Sequence, residues 1–414
     1  MPQFFRVVEH TVNCSHSREY ATATANGDAD RPRLAVKQYI PLDNPSPQPG
    51  DVTIIAAHAN AFPKELYEPL WDDLHTRTAQ SGIRIRSIWI ADMWNQGQSG
   101  VLNEKILGND PSWWDHTRDL MNLINQKRDE MPHPLVGIGH SMGGAQLTLL
   151  ALSNPRLLRS LVLLDPVIQE TNSGIGPAIA STNRRDVWDS RAAAAAKFAQ
   201  SRFYQAWDPR VLDLWVAHGL RDVPTELYPS SSSSDGTTDD TRVTLTTTKH
   251  QEVFTFLRPT YRRGGDLRDR DASIIDKGRE EGKQPKYPFY RPEPLYAFNK
   301  LPELRPSVLY VFGETSDMSG PEARRAKMER TGAGLGGSGG AAEGRVKEVV
   351  LDCGHLVAME RVPQCAEAIV GFLGGEWEVW RREQRAFEEG REGVGRRELV
   401  MVDERWMREI KGKL

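Results

Sequence analysis

The sequence has few cysteines, no long apolar run and no excess of charge of either sign. Only three of its 414 residues are cysteine, and none of them forms a Cys-x-x-Cys pair or a zinc-ligand spacing. A run of about 18 apolar residues is also missing, so no transmembrane helix is expected. The first residues lack a basic segment followed by an apolar one, and we therefore expect an intracellular protein rather than a secreted one.

The charge balance and the chain length further restrict the class of protein that the sequence can encode. The chain carries 53 Lys and Arg against 56 Asp and Glu, a formal net charge of −3. Such balance argues against a protein that coats nucleic acid or an anionic membrane, and we expect no nucleic-acid partner. The length exceeds the roughly 250–300 residues at which a single hydrophobic core stops growing. One catalytic domain with insertions or appendages is therefore expected.

Short apolar runs alternate with helical patterns over residues 51–165. The runs lack helical periodicity, which favours strands that are buried on both faces. The alternation predicts a mostly parallel sheet with helices on both faces. The strand pattern returns near the end, so the predicted strands are 52–57, 83–90, 135–138, 161–164, 307–312 and 346–351.

The long stretch between these two blocks is predicted to be an insertion. It is more polar and includes residues 230–249, rich in Ser, Thr and Asp and expected to be disordered or solvated. Residues 331–344 hold seven glycines and predict a flexible insertion. The expected organisation is a first core part at 1–166, a helical lid at 167–300, a second core part at 301–375 and a charged helical C-terminal extension at 376–414.

The sharpest chemical signal is Gly139-His140-Ser141-Met142-Gly143, which lies between a predicted strand and a predicted helix. A serine at such a turn adopts strained backbone angles, and the flanking glycines remove the clashes that a Cβ would cause. The turn lifts the hydroxyl above the sheet at the amino end of a helix, where negative charge is favoured. Ser141 is therefore the predicted nucleophile.

A nucleophilic serine needs a general base, because a free hydroxyl is too weakly acidic to attack. His355 follows the last predicted strand and is the predicted base. His58 also follows a strand and is its only serious competitor, but it is expected to shape the pocket wall. His140 is adjacent to the serine in sequence, and its side chain is expected to leave the turn in another direction.

Three carboxylates compete to orient the base. Asp317 follows the strand 307–312, and the chain order Ser141, Asp317, His355 is that of nucleophile-elbow hydrolases. Asp165 follows the preceding strand and is the main alternative, and Glu314 lies on the same loop as Asp317. Asp317 is the preferred acid, with the other two left open.

An oxyanion hole requires two backbone donors. The N–H of Met142, directly after the serine, is the first. The second is expected from the loop after strand 52–57, where Phe62 is preferred and Ala61 is the runner-up because Pro63 has no N–H. Asn60 is expected to brace this loop or to serve as an ordinary turn residue.

These residues together resemble the α/β-hydrolase superfamily. Asp92–Ser99 is similar to its D-x-x-G-x-G-x-S loop, with Asn95 in place of the first glycine. Gly354-His355 with Glu360 and Pro363 is similar to the stretch around its base, with one residue more than the commoner spacing. More narrowly, the segments around His58 and Ser141 resemble fungal hydrolases of host-toxin biosynthesis and peroxisomal lipases.

The resemblance implies an α/β-hydrolase fold with an inserted helical lid and a lipase- or esterase-like activity. It implies that a carboxylic ester or thioester, the expected small-molecule partner, is hydrolysed through an acyl-enzyme without a metal or organic cofactor. An acyltransferase of secondary metabolism and a non-catalytic binding protein remain alternatives. An epoxide hydrolase or dehalogenase is disfavoured, since those enzymes need an aspartate where Ser141 stands.

The last residues carry a hint about localisation. Gly412-Lys413-Leu414 resembles the Ser-Lys-Leu signal that the peroxisomal import receptor recognises, with glycine in place of serine. The peroxisome is therefore one expected location and the cytoplasm the other.

Overall fold

The computed structural model describes residues 2–170, 174–229, 241–259 and 289–412. Its internal contacts divide the chain into two units, Met1–Val370 and Gly371–Leu414. The first unit contains every residue that the sequence singled out for chemistry.

The described residues form thirteen strands. In chain order they are β1 (Phe5–Asn13), β2 (Arg33–Pro41), β3 (Val52–Ala57), β4 (Ile85–Ala91), β5 (Leu135–His140), β6 (Ser160–Leu164), β7 (Val187–Trp188), β8 (Leu220–Asp222), β9 (Val243–Leu245), β10 (Arg258–Pro259), β11 (Phe289–Tyr290), β12 (Ser307–Gly313) and β13 (Val346–Leu351).

The described α-helices number fifteen. They are α1 (Glu68–Gln80), α2 (Gly97–Leu102), α3 (Trp113–Gln126), α4 (Met142–Ser153), α5 (Ile175–Asn183), α6 (Arg191–Gln200), α7 (Arg202–Gln205), α8 (Pro209–His218), α9 (Lys249–Phe256), α10 (Glu293–Lys300), α11 (Pro321–Arg330), α12 (Val357–Glu360), α13 (Val362–Glu389), α14 (Arg396–Val400) and α15 (Glu404–Lys411).

The main sheet of the first unit has eight strands in the order β1-β2-β4-β3-β5-β6-β12-β13. The ladders from β4 through β13 are all parallel, whereas β1–β2 and β2–β4 are antiparallel. Every residue of β3, β5 and β6 is buried, which explains why their sequences are unbroken apolar runs rather than alternating ones. The predicted mostly parallel sheet with helices is confirmed.

Helix α3 shows how local sequence fixes the helices that flank the sheet. Ser112 caps its amino end, and the Asp115 side chain returns the hydrogen bond in a capping box. Leu120, Leu123 and Ile124 form its buried face at helical spacing. These local signals account for a helix that begins at Trp113 and ends at Gln126.

Residues 167–300 hold helices and two small sheets where the sequence predicts a lid. Strands β7, β9 and β8 form a three-stranded sheet, and β10 pairs with β11. The threonine-rich residues 241–249, expected to be solvated, include β9 and are largely buried. The sequence expectation was wrong there, because these threonines pair as a strand and cap α9. Residues 230–240 lie outside the described residues.

This stretch is hydrogen-bonded to the core around the site. The Asp208 N–H donates to the Met359 carbonyl at 2.8 Å, and Arg210 forms an ion pair with Asp73 on α1 at 2.8 Å. The Trp113 indole N–H donates to the Thr255 carbonyl at 2.9 Å. The stretch is therefore anchored to helices of the core from more than one side.

The glycine-rich residues 331–344 are folded against the chain at 301–304, contrary to the expected flexible insertion. The Gly332 N–H donates to the Leu301 carbonyl and the Ser338 N–H to the Leu304 carbonyl. Several of the glycines have positive φ, so their role is to let the backbone turn tightly enough to make these bonds.

The second unit, Gly371–Leu414, consists of the later part of α13 followed by α14 and α15. Trp406, Met407 and Ile410 on α15 are exposed. Among the described residues no helix is both long and apolar enough to cross a membrane. Gly412 caps the end of α15, and Lys413 and Leu414 of the suggested import signal lie outside the described residues.

Candidate active site

Ser141 lies at the sharp turn between β5 and α4. Its backbone angles are φ 56° and ψ −117°, a region that side chains rarely adopt. The turn needs both flanking glycines. A Cβ on Gly139 would lie 2.6 Å from the Gly143 carbonyl oxygen, and one on Gly143 would lie 2.2 Å from the Ala57 carbonyl oxygen. The sequence therefore folds into this strained turn because glycine stands where the backbones touch.

The structure places Ser141, His355 and Asp165 in one hydrogen-bonded series. The Ser141 Oγ lies 2.8 Å from His355 Nε2, and His355 Nδ1 lies 2.6 Å from Asp165 Oδ2. His355 follows β13 and keeps 27% of its side chain exposed, while Ser141 and Asp165 are buried. If Nδ1 carries the proton toward Asp165, Nε2 is free to accept the serine proton.

The carboxylate of Asp165 is surrounded by donors. Ser316 Oγ donates to Oδ2 at 2.6 Å, Ser319 Oγ donates to Oδ1, and the Gly313 N–H donates to Oδ1 at 3.2 Å. Burial alone would raise the pKa of Asp165, but the hydrogen bond and charge of His355 and the two serine hydroxyls outweigh it and lower the pKa. The group is thus held ionised beside the imidazole.

The expectation that Asp317 orients the base is corrected by this geometry. Asp317 and Glu314 both have exposed side chains on the loop after β12. That loop turns its serines, not its acids, toward the site, and Asp165 at the end of β6 reaches His355 instead. Strand β6 is the direct neighbour of β5, so its carboxyl end opens beside the serine turn.

The loop after β3 differs from the expected oxyanion arrangement. The Phe62 N–H donates to the Ala59 carbonyl at 3.1 Å, and the Ala61 N–H donates to Gln96 Oε1 at 2.7 Å. The Phe62 amide therefore closes a tight turn in which Ala61 has a φ of 68°, and the Ala61 amide bonds outside that turn. Met142 is the first residue of α4, where helix N–H groups have no partner in a preceding turn.

Asn60 braces this loop, as one of the two sequence interpretations proposed. Its Nδ2 donates to the Glu252 carbonyl on α9 at 3.0 Å, and its Oδ1 accepts from Gln96 Nε2 at 2.7 Å. The Phe62 ring packs against Trp207 and Trp215 of the inserted stretch, at centroid distances of 5.6 and 5.9 Å. The loop is thus fixed from both the core and the insertion.

His58 is a buried structural histidine and lies outside the Ser141–His355 pair. It accepts from the Met93 N–H at Nε2, 2.8 Å away, so its Nδ1 carries the proton and donates to the Ala59 carbonyl at 2.8 Å. Burial lowers the pKa of His58, which keeps the ring neutral. Both ring nitrogens are therefore hydrogen-bonded to backbone groups that follow β3 and β4.

His140 is also buried and links the Tyr67 side chain to the backbone of His355. The Tyr67 hydroxyl lies 3.0 Å from Nδ1, and Nε2 lies 3.2 Å from the His355 carbonyl oxygen. Burial, together with the charge of His355, lowers the pKa of His140 to about 3. The ring is therefore neutral at any ordinary pH.

A buried ion pair secures the loop that resembles D-x-x-G-x-G-x-S. Lys64 Nζ lies 2.7 Å from Asp92 Oδ2, and the Lys64 N–H donates to Oδ1 at 2.9 Å. Asn95, in place of the family's first glycine, donates to Gln251 Oε1 at 3.0 Å and to Thr255 Oγ1 at 3.2 Å on α9. The departure from the family pattern thus connects this loop to the insertion.

Several site residues were not singled out by sequence reasoning. Ser316 and Ser319 stand beside Asp317 in the sequence, yet their hydroxyls bond to Asp165, 151 and 154 positions away, so no local pattern could have identified their role. Tyr67 gave no local signal either, because its partner His140 is 73 positions away. Glu360, part of the family pattern, accepts from the Gly354 N–H at 3.2 Å and so holds the turn before His355.

The residues that the structure describes contain no group of three or more His, Cys, Asp or Glu side chains arranged to hold a metal ion.

The two serines around Asp165 give a pH-dependent prediction. The pKa of Asp165 is lowered in the folded state, so its charge adds stability above about pH 4 that is lost as the pH falls through the folded pKa. Removing both hydroxyls with S316A/S319A lets burial raise that pKa. We expect the free energy of unfolding at neutral pH to fall by about 1.5–3 kcal/mol per hydroxyl, and the difference to shrink toward acid.

Urea unfolding of both proteins at neutral pH and near pH 4 measures this difference. The matched control is S153A, whose hydroxyl donates to the Leu149 carbonyl of its own helix. A destabilisation that stays constant with pH would contradict the assigned role of the two hydroxyls.

Fold and site together define a class of protein. The sequence model described as the alpha/beta hydrolase family matches residues 54–368. Because this match covers most of the chain, the protein belongs to the alpha/beta hydrolase family, and the family resemblance drawn from its motifs is confirmed.

Particular relatives follow from comparison of whole sequences. The chain is 41% identical over 427 aligned residues to the type I acyl-CoA thioesterase mpaH' of Penicillium brevicompactum, covering 98% of this chain and 95% of the relative. It is 39% identical to the type I acyl-CoA thioesterase mpaH of Penicillium roqueforti, with the same coverage. The abhydrolase domain-containing protein AFT2-1 of Alternaria alternata is 28% identical over 69% of this chain and 100% of its own.

Among solved structures, the peroxisomal alpha-beta-hydrolase Lpx1 of Saccharomyces cerevisiae superposes with a TM-score of 0.65 at 16% identity. The alignment covers 95% of this chain and 99% of Lpx1. At that identity the likeness shows the shared fold.

Proposed function

We propose that this protein is a serine-dependent hydrolase of acyl thioesters, with acyl-CoA as its substrate class. The observation that carries the proposal is the series of short hydrogen bonds from Ser141 through His355 to Asp165. The similarity to two acyl-CoA thioesterases over nearly the full chain supports the thioester as substrate. The triad geometry itself serves an oxygen ester and a thioester equally.

In the first half-reaction, His355 Nε2 takes the proton of Ser141 as its Oγ attacks the acyl carbonyl carbon. Asp165 accepts from Nδ1 and stabilises the imidazolium that forms. The tetrahedral intermediate collapses when the carbon–sulfur bond breaks and the thiolate leaves with the proton from Nε2. The products of this half are a free thiol and an acyl group esterified to Ser141.

In the second half-reaction, water replaces the thiol. His355 removes a proton from the water as it attacks the acyl-enzyme carbonyl, and then returns that proton to the Ser141 Oγ as the ester bond breaks. The balance is one thioester and one water in, one carboxylic acid and one thiol out. The enzyme is restored to its starting protonation state.

The oxyanion faces the amino end of α4. Met142 supplies one N–H, and the partial positive charge of the helix end adds to it. A second donor from the loop after β3 requires the Phe62 N–H to exchange its 3.1 Å bond to the Ala59 carbonyl for one to the substrate. Hydrogen bonds at active sites commonly reach their final geometry only in the complex.

The test is thiol release from a panel of short- and long-chain acyl-CoAs, followed with a chromogenic disulfide reagent. The protein's three cysteines are buried, and burial raises the pKa of Cys353 to about 12 and those of Cys14 and Cys365 above their usual range. They contribute little background, because the thiolate is the reactive form. Turnover of oxygen esters without turnover of any acyl-CoA would contradict the thioester assignment.

Product analysis separates hydrolysis from acyl transfer. The proposal predicts the free acid as the acyl product even when alcohols and amines are added as acceptors. An ester or amide product formed in preference to the acid would assign a transferase instead.

Peroxisomal import, by way of Gly412-Lys413-Leu414, is kept as a second proposal about this chain. The one supporting finding beyond the sequence is the shared fold with peroxisomal Lpx1. A fluorescent protein fused ahead of the full chain is expected to co-localise with peroxisomes and to lose that localisation when the last three residues are removed. Unchanged localisation after removal would reject the signal.

A further inference from the structure

A chain of hydrogen bonds runs behind the nucleophile, through groups that take no part in the steps above. It begins at the Ala59 N–H, which donates to the Tyr67 hydroxyl oxygen at 2.8 Å. The hydroxyl lies 3.0 Å from His140 Nδ1, and His140 Nε2 lies 3.2 Å from the carbonyl oxygen of His355. The chain thus joins the loop after β3 to the backbone of the general base.

The direction of each proton follows from the partners. The Tyr67 oxygen accepts from Ala59, so its own hydrogen is free to be donated to His140 Nδ1. Nδ1 is then an acceptor, and the proton of the neutral ring is on Nε2, where it can be donated to the His355 carbonyl. Tyr67 therefore selects the one neutral tautomer of His140 that can hold His355.

Charge also favours this arrangement. The rings of His140 and His355 lie 5.8 Å apart between centroids, so a charged His140 would oppose an imidazolium on His355. Burial and the charge of His355 lower the pKa of His140 to about 3, which keeps the ring uncharged. A neutral donor at this place holds the base without opposing its protonation.

We propose that His140 is a positioning residue that fixes the backbone of His355, and with it the imidazole, at hydrogen-bond distance from Ser141. Tyr67 acts through His140 by fixing its tautomer. The inference rests on the proposed function, because the residue that His140 positions is the general base of that reaction. An ordinary buried histidine that fills space would leave the rate of the chemical steps unchanged once the protein is folded.

Displacing a reacting group by about 1 Å can cost on the order of 100-fold in rate. For H140L, which removes both hydrogen bonds, we expect kcat to fall about 10- to 100-fold with KM within about twofold of wild type. H140Q keeps an amide donor for the His355 carbonyl and is expected to recover most of kcat. Y67F removes the hydroxyl that selects the tautomer of His140 and is expected to lower kcat about 3- to 10-fold.

The decisive comparison is Y67F in the wild-type and the H140Q backgrounds. Glutamine has no tautomer to select, so the tyrosine change is expected to lower kcat only when His140 is present. The same comparison is made with the rate at which a fluorophosphonate labels Ser141. The labelling rate still reports on the positioning of His355 if acyl-CoA is not the substrate. Failure of the proposed substrate class can therefore be distinguished from failure of the role proposed for His140.

Two buried residues elsewhere give matched controls. Y310F removes a buried hydroxyl that bonds to Thr331 at 2.7 Å, and H116L removes a buried ring for which the described residues provide no hydrogen-bond partner. Both are expected to leave kcat within about twofold of wild type. Thermal unfolding of every variant separates lost rate from lost fold.

Two results would overturn the proposal. One is unchanged kcat and labelling rate in both H140L and H140Q. The other is an equal loss from Y67F in the two backgrounds, which would mean that the tyrosine does not act through His140. The comparison of Y67F in the wild-type and H140Q backgrounds does not use H140L. The test therefore remains decisive if H140L fails to fold.

Discussion

The S141A variant is expected to lose acyl-CoA turnover by about 10⁴-fold or more while remaining folded. Alanine removes the only group in the series that can attack the carbonyl carbon. The strained turn is retained, because Gly139 and Gly143 still allow the backbones to touch. Steady-state thiol release measures the loss, and circular dichroism checks the fold.

The control for this variant is S153A at the other end of α4. The Ser153 hydroxyl donates to the Leu149 carbonyl of its own helix, so its removal is expected to leave turnover unchanged. Turnover in S141A within tenfold of wild type would remove Ser141 from the role of nucleophile.

The second large effect is expected from D165N, with a loss in kcat of about 10⁴-fold. An asparagine of the same shape would offer its amide N–H or its carbonyl to His355 Nδ1 without the negative charge that stabilises the imidazolium. Ser316 and Ser319 would still surround the side chain, so the geometry is largely retained. The measured quantity is kcat at saturating acyl-CoA.

D317N is the matched control, since Asp317 is an exposed aspartate on the loop whose serines contact Asp165. It is expected to leave kcat within about twofold of wild type. The opposite outcome, with D317N inactive and D165N active, would restore the order of triad members that the sequence suggested.

The parts of the site that the sequence predicts well are the local ones. The turn at Ser141 depends on glycines two positions away on either side, and His355 follows a strand and precedes a helix. Both signals lie within a few residues along the chain. The alternation of strands and helices also predicts that β5 and β13 are parallel, which places Ser141 and His355 at the same edge of the sheet. Because β6 and β12 lie between these strands, the 2.8 Å contact further requires that the loop after β13 extend past the ends of both.

The acid could not be assigned in the same way, because two strands end in loops that contain aspartate. Which one reaches His355 depends on how each loop turns after its strand. Asp165 has a φ of 40° and points inward, whereas Asp317 points to solvent. That difference is set by Ser316 and Ser319, 151 and 154 positions from their partner, and no local pattern encodes it.

The hydrogen bonds of the loop after β3 and of the polar segments could not be predicted for a related reason. Phe62 was preferred as the second oxyanion donor because Pro63 has no N–H, and the structure shows that the Phe62 amide closes a turn with Ala59. Residues 241–249 and 331–344 have the composition of solvated segments, yet strand pairing and backbone hydrogen bonds to distant residues hold them. Composition reports how much apolar surface a segment can bury, not which backbone partners are within reach.

The most direct test of the central claim is rapid-quench mass spectrometry of the wild-type protein mixed with an acyl-CoA that is turned over. A transient mass increase equal to one acyl group is expected, and digestion is expected to locate it on the peptide that contains Ser141. An adduct on any other residue, or continued turnover with no adduct under conditions that slow deacylation, would contradict the role of Ser141 as nucleophile.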